Sequence, residues 1–439
     1  IGRTYAMNDA THGGKGQAVT MAEIKGASKP DERVILCAHV QEPGSNDNAT
    51  GVASLLGLAT TLKKMVDSGA IARPERTITF LWGDEMNLAT LWLNSHPDEK
   101  TKALSVLNMD MVGEDPDKTG GVMRIEKTPD PSAKYNYTLD TLPWEDGSAY
   151  DETFADSDGQ FVRLPDSHTL WGASSYSNLF QDGFFLNDLY MYAAQGVINY
   201  HDSDFRVDVC PYEGGSDHSR FLAQNVPALL TWHFTDYTYH SSVDTLNMSS
   251  AREMENVSIT TMATALMIAN ATDGNEALAL EILGTVMMAA LDRFDMEQAN
   301  TENHRIYTLA HGKDFAAALD NEKEVLQAWA DWYKQALASP AEYLLDAPSK
   351  IFQDTQAELL NLLEQRLALA LACADEYLQD EVTHTGLVKI DAAAPTFSEP
   401  GNIEFWYCQN CGKLFADPQA TRELTDDDVL IPFVNPTAK

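Results

Sequence analysis

Short, continuous apolar runs separated by helix-period stretches constrain this chain most. Val34-Ile-Leu-Cys-Ala38 is such a run, and Thr77-Ile-Thr-Phe-Leu-Trp82, Ser105-Val-Leu-Asn-Met109 and Pro227-Ala-Leu-Leu-Thr-Trp232 repeat the pattern. Runs without polar alternation suit strands buried on both faces. Between the first two, Gly51 opens a stretch with Val52, Leu55, Leu56, Ala59, Leu62 and Met65 at helical spacing. Glu253 to Ala271 repeats that spacing with Met254, Val257, Thr261, Ala265 and Ile268. The alternation predicts an α/β fold: a mainly parallel, mixed central sheet flanked by helices.

At 439 residues the chain is about three times the usual domain length of roughly 150, so more than one unit is expected. The strand–helix alternation spans 1–274. Within it, 115–200 is rich in Asp, Ser, Gly, Pro and Tyr, and reads as a loop-rich insertion. After Thr272-Asp-Gly-Asn275 the composition turns to Ala, Leu, Glu and Gln. A helical unit is expected over 275–380, with helices near 276–298, 312–338 and 353–379, punctuated by Pro340 and Pro348. Its apolar stripes must be buried, so it is expected to wall one side of a cleft and restrict entry to it, or to form a homodimer interface. Residues 381–439 read as a short-strand tail.

Charge excludes several partners. With 66 Asp+Glu against 30 Lys+Arg, the formal net charge is −36. Such a field repels phosphate backbones and anionic lipid surfaces, so neither nucleic acid nor membrane is an expected partner. The acids read as a solvated, salt-tolerant surface. No apolar run reaches the ~18 residues of a membrane span. The chain opens on Ile1 without a basic-then-apolar leader. The expectation is a processed secreted or periplasmic protein, with a cytoplasmic one, or a chain whose earlier residues are not given, as alternatives.

Metal-ligand residue types recur where the core strands end. His39 follows the first strand, and Asp47 precedes the helix after it. Asp84 and Glu85 follow the second, Asp110 the third, and Tyr239-His240 the last. Ligands of open α/β sheets bind beyond the carboxyl ends of strands, so residues far apart in sequence can converge there. Two imidazoles and three carboxylates suit zinc. Two metals about 3.5–4 Å apart need a bridging carboxylate and acidify a bridging water, and a further carboxylate must take its proton.

As an ordered set these motifs resemble the di-zinc exopeptidases of the bacterial leucyl aminopeptidase and glutamate carboxypeptidase type, over about residues 17–270. The resemblance implies a hydrolase-like zinc peptidase architecture and two Zn²⁺ ions. His39 and Asp110 would hold one and Glu85 and His240 the other, with Asp47 bridging. It implies Asp84 as general base and Tyr239 as a hydrogen-bond donor to the tetrahedral oxyanion. Gly215-Ser-Asp-His218 matches a family segment, in which Asp217 and His218 read as structural. Two positions depart. Gln41 stands where the family has the Asp that orients the first His ligand, so its carbonyl oxygen is expected to accept the His39 N–H. Asp84 is one methylene shorter than the usual Glu.

The implied activity is a zinc exopeptidase, most simply an aminopeptidase, hydrolysing short peptides with a metal-bridging hydroxide. A non-catalytic binding module on the same fold, which would lose ligands, is a second reading. A glutaminyl-cyclase-like acyltransferase using one zinc is a third. Cys408-Gln-Asn-Cys411 is half a zinc-ribbon signature and reads first as two thiols or a local disulfide. Asn48-Ala-Thr50 is a glycosylation sequon too close to Asp47 to carry a glycan without blocking the site.

Overall fold

The structure is a computed structural model describing residues 3–7, 17–98, 102–135, 163, 166, 168–169, 171, 174–310, 315–379, 386–395, 400–409, 412–420 and 422–431. It divides into two compact units, 1–297 with 324–368, and 298–323 with 369–439. The boundaries fall inside the three long helices.

In the first unit, strands β1 (Arg3–Met7), β2 (Gln17–Ile24), β3 (Lys29–His39), β4 (Arg76–Gly83), β5 (Ala103–Met109), β6 (Val122–Glu126), β7 (Val207–Cys210) and β8 (Ala228–Phe234) form one sheet. Their order is β1-β2-β4-β3-β5-β8-β6-β7. The central run β4-β3-β5-β8 is parallel throughout, while β1/β2, β2/β4 and β6/β8 are antiparallel. All four sequence-predicted strands lie in this parallel run, and their interiors are buried. Helices α1 (Ala49–Asp67), α5 (Leu186–Tyr200) and α7 (Ala251–Asn270) cover one face, while α2 (Asn87–Ser95) and α6 (His218–Leu222) cover the other. Two short helices, α3 (Pro116–Thr119) and α4 (Ser132–Tyr135), lie between β5 and α5.

The stretch 115–200 thus supplies a sheet strand and a long core helix. Its strand, Val122-Met-Arg-Ile-Glu126, carries too few apolar residues to announce itself. The central sheet supplies what burial they lack, and Met123 and Ile125 are fully buried.

Helices α8 (Glu276–Ala310), α9 (Phe315–Leu344) and α10 (Lys350–Gln379) outrun the expected segments. Pro340 does not end a helix as its sequence position implied; it lies inside α9. A proline there cannot donate to the carbonyl four residues back. The Ser339 hydroxyl donates to that Ala336 carbonyl instead, at 2.8 Å. Among the described residues no helix is long and apolar enough to cross a membrane.

The second unit carries an antiparallel sheet. Strands β9 (Leu387–Ile390), β10 (Gly401–Asn402), β11 (Phe405–Cys408), β12 (Leu414–Phe415), β13 (Glu423–Leu424) and β14 (Leu430–Ile431) form the order β13-β12-β11-β9 and a separate β10-β14 pair. Cys408 is buried, and Cys411 lies outside the described residues.

One buried cation ties the sheet to the helices of its own unit. Arg76, at the start of β4, is fully buried. Its guanidinium donates to the Ile268 carbonyl at 3.0 Å, the Leu344 carbonyl at 2.7 Å and the Ala271 carbonyl, and pairs with Glu32 at 2.6 Å. Its removal strands three carbonyls and leaves Glu32 with only its Lys29 partner. We expect Arg76→Ala to cost about 3–5 kcal/mol of stability, the scale of a broken buried pair. Chemical denaturation checks this, and a loss under 1 kcal/mol would contradict it.

Candidate metal centre

The parallel register builds the site. His39 pairs with Gly83, and Cys37 with Asn108, so β3, β4 and β5 end side by side. Glu85 lies just past the end of β4 and Asp110 just past β5, whose own end pairs with β8. His240 follows β8 on the same edge. The structure therefore gathers all five sequence-predicted metal ligands there.

Asp47 occupies the middle. Its Oδ1 lies 3.5 Å from His39 Nε2, and its Oδ2 lies 3.1 Å from His240 Nε2. The loop carrying it is held from several sides. Asp244 accepts from the Asn46 N–H at 2.8 Å and the Asp47 N–H at 3.1 Å. The cap of α1 is Asn48, not Asp47: Asn48 Oδ1 accepts from the Gly51 N–H at 3.1 Å and the Met111 N–H at 3.0 Å. That leaves the Asp47 carboxylate to face the imidazoles. It also buries the Asn48 amide, so the sequon offers no glycan site. Gly44 is required here, because a Cβ would fall 2.0 Å from Asp244 Oδ2.

His39 Nε2 lies 3.0 Å from Asp110 Oδ1 and 3.9 Å from Glu85 Oε1. Asp110 Oδ2 accepts from the Ser216 hydroxyl at 2.8 Å, which itself accepts from the Asn108 amide at 2.8 Å. Two groups offer ligand atoms within 4.8 Å of one another: His39, Glu85 and Asp110, and Glu42, Asp47 and His240. Glu42 is the candidate that sequence reading missed; only its proximity to His240 reveals it.

Gln41 does not orient His39. Its Oε1 accepts from the Glu85 N–H at 2.8 Å and its Nε2 donates to Glu85 Oε2 at 3.4 Å, while His39 Nδ1 is without a hydrogen-bond partner. Asp84 sits beside Glu85, and its Oδ2 accepts from the Asn87 amide at 2.6 Å. Tyr239 stacks on His240 with ring centroids 3.8 Å apart and meets Trp171 edge-on at 6.1 Å.

A third cluster, Glu126, Cys210 and Glu213, lies deeper. Glu126 Oε1 accepts from the Gly214 N–H at 2.7 Å and faces His218 Nε2 at 2.7 Å, and Glu213 holds Thr169 through its N–H and hydroxyl. These bonds shape the segment 213–216, whose Gly214, Gly215 and Ser216 line the cavity. His218 is thus a structural residue.

The donor set fits divalent cations. His39 Nε2, Asp47 Oδ1 and Asp110 Oδ1 are buried, adjacent and without a hydrogen-bond partner, as atoms awaiting a shared cation would be. Metal-free electrostatics agree. Burial, then Asp110 and Glu42, push the Asp47 carboxyl up to about 10. Burial, then Asp110, push Glu85 up to about 7. Burial alone would lower His39, but Asp110, Glu85 and Asp47 raise it to about 10. Burial would raise Asp110, yet His39 and Ser216 hold it below its usual range.

These shifts fix a sign. Glu85, Asp47 and His39 bind protons more tightly folded than at their ordinary values of 4.5, 3.8 and 6.5. Their contribution to metal-free stability is complete below those ordinary values. It is lost as pH rises, through about 7 for Glu85 and about 10 for Asp47 and His39. Asp110 acts oppositely, at acid pH only. Cations replace the bound protons, so zinc uptake between about pH 7 and 9 should release protons. Calorimetry in buffers of different ionisation enthalpy measures this; identical heats would contradict it.

The comparisons with known proteins follow this geometry. BSAP, a zinc aminopeptidase from Bacillus subtilis, is similar in structure at 16% identity, covering 57% of this chain and 50% of that one, with a TM-score of 0.38. An aminopeptidase from Aneurinibacillus sp. strain AM-1 shows 20% identity over 58% of this chain and 48% of that one, TM-score 0.37. A glutaminyl cyclase from an Acidobacteriales bacterium shows 14% identity over 61% and 79%, TM-score 0.37. The chain spans about half the length of the two aminopeptidases. No curated protein matches the sequence. Residues 20–168, which carry His39, Asp47, Asp84, Glu85 and Asp110, match the profile described as Peptidase family M28.

Proposed function

We infer that the chain is a di-zinc aminopeptidase acting on short peptides. One observation carries the reading: the two oxygens of Asp47 face two different imidazoles, at 3.5 and 3.1 Å, as a carboxylate shared by two adjacent cations must. His39, Asp47, Glu85, Asp110 and His240 would hold the pair. When bound, such a pair polarises a carbonyl and acidifies a water molecule.

The chain's own residues support the rest. Asp84 follows the strand end beside Glu85, with its carboxylate oriented by Asn87, and takes the role of proton acceptor and donor to the leaving amine. Tyr239 lines the cavity with its hydroxyl protonated, because burial and then Asp47 raise it far above its ordinary value. A protonated phenol can donate to a developing oxyanion.

Substrate selection follows from two linings. A cavity of about 410 Å³ is bordered by Glu42, Asp47, His240 and Asp244. This acidic wall, in a chain of net charge −36, favours a cationic amine over a free carboxylate. A smaller cavity of about 100 Å³ has the carboxylates Glu42, Asp47, Glu85 and Asp110 on one side and an apolar side formed by Met111, Trp171, Leu230 and Trp232. That apolar side suits an apolar amino-terminal side chain, with the carboxylates left for the reacting groups.

A panel of aminoacyl-nitroanilides, with and without chelator, tests this. Leucyl and other apolar substrates should be cleaved, N-acetylated ones spared, and chelator should abolish turnover. Chelator-insensitive cleavage, or release from the carboxyl end, would sink the reading. Asp84→Asn should keep both metals and lose about 10²–10⁴ in kcat, the usual size of a general-base effect. Near-normal turnover would remove Asp84 from the mechanism.

A further inference from the structure

This inference rests on the peptidase reading and concerns how the ligands divide. The resemblance puts Glu85 on the cation of His240. The structure holds Glu85 elsewhere. Gln41 grips it twice, accepting from its N–H at 2.8 Å and donating to its Oε2 at 3.4 Å. Glu85 Oε1 is left 3.9 Å from His39 Nε2, in the group that also contains Asp110. A Gln can make both bonds because its amide offers an acceptor and a donor, which an Asp cannot.

On the other side His240 Nε2 meets two carboxylates, Asp47 Oδ2 at 3.1 Å and Glu42 Oε2 at 3.2 Å. Tetrahedral ligands about 2.0–2.1 Å from zinc lie roughly 3.3–3.4 Å apart, only slightly wider than these contacts, so a small outward shift would let all three groups share one cation. Asp47 is only 5% exposed, and its other oxygen has no hydrogen-bond partner. Glu42 borders both cavities.

We propose that Glu42 is a metal ligand. One divalent cation is held by Glu42, His240 and Asp47 Oδ2, and the other by His39, Asp110, Glu85 and Asp47 Oδ1. Glu42 takes the place at His240 from which Gln41 withdraws Glu85. The competing account of the same distances is an ion pair between Glu42 and a protonated His240, with no cation between them.

The test uses the full chain, stripped with chelator and titrated with Co²⁺. Absorption reports each binding step, and zinc content is measured independently. The unaltered chain should take two cations. Glu42→Gln should keep one and weaken the other by more than about a hundredfold, beyond the 10–100-fold effect of losing an outer-sphere partner. His240→Ala should lose the same step, with the double variant losing no more. Glu85→Gln should weaken the opposite step, shared with His39→Ala. Thermal unfolding of the metal-free variants checks the fold, and Glu42→Asp, read the same way, serves if Glu42→Gln does not fold. Two cations bound with unaltered affinity by the Glu42 variant would overturn the proposal, as would Glu85→Gln and His240→Ala losing the same step. An unaltered chain binding no cation overturns both readings. Two cations without peptide cleavage defeats the aminopeptidase reading alone, and cleavage with Glu42 dispensable for binding defeats this one alone.

Discussion

Carboxylates crowded at the ends of parallel strands set the terms for this molecule. Asp47, Glu85 and Asp110 surround His39, and Asp47 and Glu42 face His240, in a setting where Asp47 and Asp110 are almost wholly buried. Like charges this close cannot all ionise without a counter-charge. Burial first, and then the neighbouring carboxylates, push Asp47 and Glu85 up to about 10 and 7, so that without metal protons supply the counter-charge. Divalent cations supply the counter-charge at neutral pH without protonating the ligands. The site is therefore under electrostatic stress that bound divalent cations would relieve.

The surrounding bonds keep this arrangement from relaxing. Asp244 clamps the Asp47 loop through two N–H groups, Asn48 caps α1, and Ser216 fixes one oxygen of Asp110. Each takes a hydrogen-bonding task that a ligand would otherwise perform, so the ligand oxygens stay directed inward. Gln41 belongs to this set, but it acts on Glu85 rather than His39. Gln41 thereby keeps Glu85 beside His39.

The helical region of the first unit is bound by the same kind of chemistry. Arg293 pairs with Asp166 at 2.5 Å and lies over the Trp329 ring at 4.1 Å, and Arg163 pairs with Glu297 at 2.6 Å, all largely buried. The Gly183 N–H donates to Gln335 and the Phe185 N–H to Ser339. Buried, directional bonds of this kind constrain register more than they add net stability. They link α8 and α9 to the segment leading into α5, next to the sheet.

Much was legible in the order of residues alone. Uninterrupted apolar runs such as Val34–Ala38 have one outlet, a strand covered on both faces, and the ligand types at their ends marked the site. Helices α1, α7 and the three long helices announced themselves by period, whereas α2 and α5 did not. What sequence could not carry was anything set by side chains meeting across space. Val122–Glu126 is a strand because β8 and β7 flank it, not because of its own pattern. Pro340 sits inside a helix because Ser339 satisfies the orphaned carbonyl. Glu42 lies 198 residues from His240 in sequence, and no local motif pairs them. Strand identity follows from local burial preference, which the residues themselves encode. Ligand partition depends on which polar atom reaches a shared space first, and only the folded chain decides that.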